Sequence, residues 1–154
     1  MMIRLQTPRL GLLALAAGAA LAGCRPPDQG KLITEADAPR LRPGLWRQTH
    51  QVDADPAATS VFCAQATSLA PPRMGACSRY ELRLTATGAF IADAVCSPHG
   101  MTATTHSEMT GDFGSHFTED NSISTAFPGE TPTTSRAHIG MQYLGPCPVG
   151  AKAP

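Results

Sequence analysis

The chain has 154 residues, with 12 Lys+Arg against 12 Asp+Glu, 14 Gly, 14 Pro, five Cys and only 16% charged residues, a length that fits one ordinary domain. Over residues 43–148, five arginines stand against nine carboxylates, and a surface of that sign repels phosphate backbones, which argues against nucleic acid as a partner. Both lysines, Lys31 and Lys152, fall outside that segment, so Schiff-base chemistry and a phosphate-loop lysine are excluded within it.

Arg4 and Arg9 precede an apolar run of 12 residues, Leu10 to Leu21. That is the size of the apolar region of a signal peptide and too short to span a bilayer as a helix. The run ends in Leu21-Ala22-Gly23-Cys24, which resembles the bacterial lipoprotein box: small residues suit the signal peptidase, and the Cys24 thiol is the nucleophile that accepts diacylglycerol. The alternative makes Cys24 an ordinary residue beyond a conventional cleavage site. The resemblance implies residues 1–23 as a removed leader and a chain anchored through Cys24 in the cell envelope, facing the periplasm. At about 0.8 kcal/mol per buried methylene, several acyl chains anchor a protein essentially permanently. Arg25 follows the cysteine in place of the Asp that signals inner-membrane retention in some bacteria, which favours the outer membrane. Residues 24–42 contain no aromatic residue and several prolines, and predict a lipid-anchored flexible tether.

All eight aromatic residues lie in residues 43–148, spread along the whole segment, which predicts one continuous core. Leu45–Val52 alternates as a strand, and Asp53-Ala54-Asp55-Pro56 turns the chain into a second strand, Thr59–Ala64. At most one short helix fits, near residues 64–70, before Pro71-Pro72 stops it. Tyr80–Ala86 alternates cleanly and places Tyr80, Leu82 and Leu84 on the core face; Thr87-Gly88 suits a tight hairpin into Ala89–Cys96. Pro98-His99-Gly100 turns into Met101–Thr110, Gly111-Asp112 fits a two-residue turn, and a Thr/Ser-rich strand follows over about 113–127. Pro128–Pro132 breaks it before Thr133–Leu144, and residues 149–154 form a disordered tail. The expected fold is all-β and mainly antiparallel: about seven strands in a meander, forming a small sandwich or an open half-barrel.

With Cys24 lipidated, Cys63, Cys77, Cys96 and Cys147 remain, an even number in an exported chain, which predicts two disulfides. Three pairings exist. The favoured one joins Cys63 to Cys77 across a Pro-rich excursion and Cys96 to Cys147; the competing one joins Cys63 to Cys147 and Cys77 to Cys96. Their spacings contain no C-x-x-C knuckle, which argues against zinc.

From Pro43-Gly44-Leu45-Trp46 onward the chain resembles a family of small bacterial envelope proteins, the domain of unknown function 3617 family. The resemblance rests on that opening, on the order of Cys63, Cys77 and Cys96, on Thr110-Gly111-Asp112-Phe113 with Ser115, and on Leu144-Gly145-Pro146-Cys147-Pro148. It implies an envelope address and a disulfide framework but no activity. The chain departs from the family's helix-starting stretch after the first cysteine, having Ala64-Gln65-Ala66-Thr67 there. Physically, these motifs read as scaffold, with Trp46 as the largest single burial; the competing reading is an exposed binding aromatic.

Five histidines invite a metal or acid–base reading. A turn at Gly111-Asp112 sets His106 nearly opposite Phe117 and beside His116, making these two the metal candidates; His138 falls opposite residues near Asn121. His106 and Met109, like His138 and Met141, are three apart and point to opposite faces of a strand, which argues against a His/Met copper site. No G-x-S-x-G elbow is present, and Glu119 and Asp120 alternate across a strand, so neither nucleophilic nor paired-carboxylate catalysis has its geometry. The expectation is a non-catalytic, lipid-anchored envelope protein without a cofactor, a binding or structural module for an unidentified envelope protein. The alternatives are a carrier of an apolar ligand on a concave sheet face and a metal-handling protein.

Overall fold

A computed structural model describes residues 30–150; the leader, Cys24 and residues 151–154 lie outside the described residues. Eight antiparallel strands form one open sheet: β1 Lys31–Ile33, β2 Gly44–Val52, β3 Ala58–Ala64, β4 Ala76–Leu84, β5 Phe90–Ser97, β6 Thr102–Gly111, β7 His116–Ala126 and β8 Thr133–Gly145. Their order in the sheet is β1-β4-β5-β6-β7-β8-β2-β3. The expected all-β antiparallel architecture is realised as one open sheet of eight strands among the described residues. Strands β4 to β8 form the expected meander, and β2–β3 is a hairpin added beside β8.

Alternation decides which face is buried. On β5, Phe90, Ala92, Ala94 and Cys96 are buried, and on β6 so are Ala103, Thr105, Ser107 and Met109. Successive registers build one inward apolar row that runs obliquely across the sheet: Phe90 opposite Met109, Phe117 opposite Met141, and Tyr143 opposite Trp46, which faces Phe62. Trp46 is fully buried, edge-on to Phe117 and Tyr143, and its Nε1 donates to the Arg42 carbonyl at 2.8 Å. Gly44 must be glycine: its φ is +145°, and a Cβ would strike the Tyr143 ring and the Gly145 carbonyl.

No second sheet covers this row. Two connections do, residues 34–43 between β1 and β2 and residues 65–75 between β3 and β4. They pair with each other: Leu41 N donates to Thr67 O at 2.8 Å, Leu69 N to Pro39 O at 2.9 Å, and Arg40 bridges Ser68. Ala38 and Leu41 are buried, and Leu69 and Ala70 pack on the same core. Tyr80 Oη donates to the Pro71 carbonyl at 2.7 Å, and Arg73 lies over the Tyr80 ring while it pairs with Glu35.

These connections correct two expectations. The tether placed over 24–42 is not flexible to its end, because β1 pairs with β4 and Ala38 and Leu41 are core; low aromatic content hid two buried aliphatic residues. The short helix near 64–70 does not form. Leu69 and Ala70 are instead drawn out extended to reach the sheet, and the only helical turn among the described residues is a 3-10 turn at Glu35–Asp37.

The turn at Gly111-Asp112 is also longer than two residues. Gly111 already pairs with Phe117, and residues 112–115 form the loop. Asp112 organises it by accepting from the backbone N–H groups of Gly114, Ser115 and His116 and from the Ser115 hydroxyl. Those bonds hold its carboxyl far below the ordinary aspartate range.

The disulfides are Cys63–Cys147 and Cys77–Cys96, with Cα separations of 5.7 and 3.8 Å, which overturns the favoured pairing of Cys63 with Cys77 and Cys96 with Cys147. The reason is register: Cys77 and Cys96 are direct partners across the β4–β5 hairpin, and β8 runs out beside Leu45, the partner of Cys63.

Trp46→Ala is expected to cost about 3–5 kcal/mol in urea-induced unfolding, the range for emptying a large aromatic site. Replacing Cys63 and Cys147 together by Ser removes a crosslink spanning 84 residues, against 19 for Cys77–Cys96. Loop-closure entropy puts the two losses at roughly 4.5 and 3 kcal/mol. Equal unfolding midpoints for the two double variants would contradict that order.

Candidate functional site

The face of the sheet away from the straps is solvent-exposed and polar. Register aligns its outward side chains in rows across four strands: Asp93, His106, Ser122 and Arg136 in one, Glu108, Asp120, His138 and Gln51 in the next. Between the rows lies a concavity of about 340 Å³ lined by Asp53, His106, Asp120, Ser122, Arg136 and His138, among others.

Each histidine is aimed by a carboxylate. His106 Nδ1 lies 2.8 Å from Asp93 Oδ1, and His138 Nδ1 lies 2.7 Å from Asp120 Oδ1. An ionised carboxylate only accepts, so Nδ1 is the donating nitrogen of both rings. Asp93 is committed twice, because its other oxygen pairs with Arg83, and both of those side chains are more than four-fifths buried.

Asp53 closes one end of the site from the β2–β3 turn, where its φ of 46° turns its side chain back on β8. It accepts from Arg136 N at 2.8 Å and the Ser135 hydroxyl at 2.9 Å, and these bonds hold its carboxyl below the usual range. The Arg136 guanidinium has no hydrogen bond or ion pair of its own. Every other arginine among the described residues is engaged: Arg40 with Ala66 O, Arg42 over Tyr143, Arg47 with Gln142, Arg73 with Glu35, Arg79 with Glu81 and Arg83 with Asp93. Asp53, Asp93 and Asp120 are each partnered within the protein, and the five-donor fork of Arg136 is left over.

The expected pairing of His106 with His116 does not occur. With a four-residue loop in place of the two-residue turn, His106 faces Ser122, and His116 faces Gln142 six residues away along β7. His116 instead sits in the Asp112 loop. His138 does lie near Asn121, opposite Asp120. Among the described residues, no group of three or more His, Cys, Asp or Glu side chains is placed to hold a metal ion. Asp93, Asp120, Ser122 and Arg136 were missed as site residues. The signal for Asp93 was a lone acid inside the apolar run Phe90–Val95; naming its partner required the β5–β6 register.

The apolar side of the sheet is occupied by the chain itself. Beyond the straps, the inward face turns polar: Ser107 Oγ donates to Glu119 Oε1 at 2.8 Å, Asn121 Nδ2 reaches the same oxygen at 3.2 Å, and Gln48, His50 and Ser60 flank a shallow hollow of about 220 Å³.

A single antiparallel sheet crosslinked by two disulfides and sealed on one face by its own connections defines a small stapled β-sheet protein. Within that class, the chain belongs to the family described as protein of unknown function (DUF3617), which it matches over residues 41–147. No curated protein and no solved structure matches it.

Asp53 gives the site a pH signature. Its folded pKa is lowered, so the stabilisation it provides is complete above its ordinary value of 3.8 and is lost as pH falls through the folded value. Asp53→Asn, which suits the left-handed backbone there, is expected to flatten the loss of stability as the pH falls below about 4. Parallel stability profiles for variant and parent would refute this role.

Proposed function

We propose that this chain is a non-catalytic, lipid-anchored module of the bacterial envelope that faces the periplasm and binds a protein partner through the solvent face of its sheet. The observation that carries the reading is Arg136: a guanidinium with no hydrogen bond or ion pair, lining a solvent-face concavity together with the carboxylate-oriented imidazoles of His106 and His138. A carboxylate on the partner would take the Arg136 fork, with the Ser122 hydroxyl and the imidazole Nε2 atoms as further contacts.

The anchor rests on the Arg4/Arg9 flank, the apolar run and the Leu21–Cys24 box, and the even set of paired cysteines is consistent with an oxidising compartment. Arg25 favours the outer membrane. A carrier of apolar ligand is the less favoured reading, because the straps fill the apolar half of the inward face and the open remainder is polar.

Two experiments test the reading. Cys24→Ser is expected to move the protein from the membrane pellet to the soluble fraction at high salt, and a variant that still pelleted would remove the anchor. A photo-crosslinking residue placed at Ser122 in cells is expected to give one dominant adduct that Arg136→Ala combined with His138→Ala abolishes. Adducts unaffected by those changes would remove the site.

A further inference from the structure

Gly30 follows Cys24 by six positions, and six residues reach at most about 20 Å even when drawn out straight. Gly30 itself lies against the β4–β5 turn, where a Cβ would stand 3.0 Å from the Leu84 carbonyl and 3.1 Å from Thr85 N. The chain therefore enters the sheet at one corner, formed by the start of β1, the end of β4 and the turn over residues 85–89.

That corner differs from the other turns. Leu32 is 63% exposed and Leu84 38%, on adjacent rungs of the β1–β4 ladder: Leu32 opposite Arg83, and Leu84 opposite Lys31. Ala86, Thr87 and Gly88 at the turn are exposed and uncharged. Three of the other four hairpin turns carry carboxylates (Asp53 and Asp55, Asp112, and Glu130), whereas residues 84–90 carry none. Lys31 is the one lysine among the described residues, and Asp37, which feels its charge, already accepts from the Thr34 backbone and hydroxyl.

We infer that this corner rests on the lipid surface that holds the anchor, with Leu32 and Leu84 at the headgroup boundary and Lys31 among anionic headgroups. The inference rests on the acylation of Cys24 proposed above. Chain length favours lipid as the occupant. A corner confined within about 20 Å of a bilayer meets it continually, and apolar side chains beside a cation are what an anionic interface takes up. Phe127, an apolar side chain at another turn, is 52% exposed but out of that range. Leu84, Phe90, Met109 and Glu119 stand in one row, and Phe127 lies eight positions beyond Glu119, about 27 Å further along the strand direction. Arg136 stands four strands from β4 and on the Phe127 side of that row, which leaves its concavity open to a partner.

The test uses the full acylated chain, purified from membranes in detergent and reconstituted into vesicles of phosphatidylethanolamine and phosphatidylglycerol, with or without bromine on the upper acyl chains. Bromine quenches tryptophan on contact, and the native Trp46 is fully buried and supplies a constant background. Leu32→Trp is expected to lose most of its added emission in brominated vesicles, and Phe127→Trp to keep its own. Lys31→Glu in the Leu32→Trp chain is expected to restore part of the lost emission. Equal emission from Leu32→Trp in both kinds of vesicle, with the protein still floating with them, overturns the contact and leaves the anchor standing. Quenching of Phe127→Trp as strong as that of Leu32→Trp also overturns it, because no corner would then be preferred. An unaltered chain that does not float with vesicles removes the anchor and the inference with it.

Discussion

A sheet with one layer has two faces and must hide its apolar one with whatever chain is left over. Here that cover is the mutual pairing of residues 39–41 with 67–69, two connections that run over the inward row and hydrogen-bond to each other. Without it, the row from Phe90 to Trp46 would face water, and burial of such side chains contributes about 1.5–3 kcal/mol each. The straps are held from the sheet side as well: Trp46 Nε1 and the Tyr143 ring grip residue 42, and Tyr80 holds residues 71 and 73 by its hydroxyl and its ring. The largest inward side chains therefore have two tasks, filling the core and fixing the loops that seal it.

Sealing one face leaves recognition to the other and to the edges. On the solvent face, paired carboxylates orient imidazoles and arginines across strand rows, an arrangement available wherever opposite charges stand side by side on a pleated surface. Most such pairs are exposed, and exposed ion pairs contribute little to stability. Their effect is orientation: His106 and His138 are each held through Nδ1, and Asp53 is consumed by backbone and hydroxyl donors and does not neutralise Arg136 by direct contact.

Strand positions were legible because period-two alternation is local: Tyr80-Glu81-Leu82 declares its inward face directly, although Leu84, expected on the same face, is 38% exposed where only the short β1 covers β4. What depended on register was not legible. Whether the turn after Gly111 holds two residues or four decides which side chain stands opposite His106, and a carboxylate, Asp112, that folds backbone around itself decided for four. The disulfides followed the same rule, since Cys77 and Cys96 meet only once the β4–β5 hairpin is aligned. The covering straps were hidden for a different reason. Ala38, Leu41, Leu69 and Ala70 are too few and too irregularly spaced to show periodicity, and their burial comes wholly from contacts distant in sequence. The helix near 64–70 failed because local propensity yielded to those contacts.

The staples stand where pairing is weakest. A strand in the middle of the sheet, such as β7, is held from both sides by long neighbours, whereas β3 has one neighbour and β4 has one long neighbour and a three-residue β1. Cys63–Cys147 ties β3 past β2 to the chain leaving β8, and Cys77–Cys96 ties the far end of β4 to β5. Opening of a sheet begins at strands with the fewest partners, so a crosslink there opposes the first step of fraying, and one in the centre would duplicate bonds already cooperative. Strands β6 and β7 carry the middle of the solvent-face rows and no disulfide. The site is tied to the strands nearer the edges by Arg83 of β4, which pairs with Asp93, and by Asp53 of the β2–β3 turn, while the straps join β3 to β4 and β1 to β2 and close the sheet over its own core.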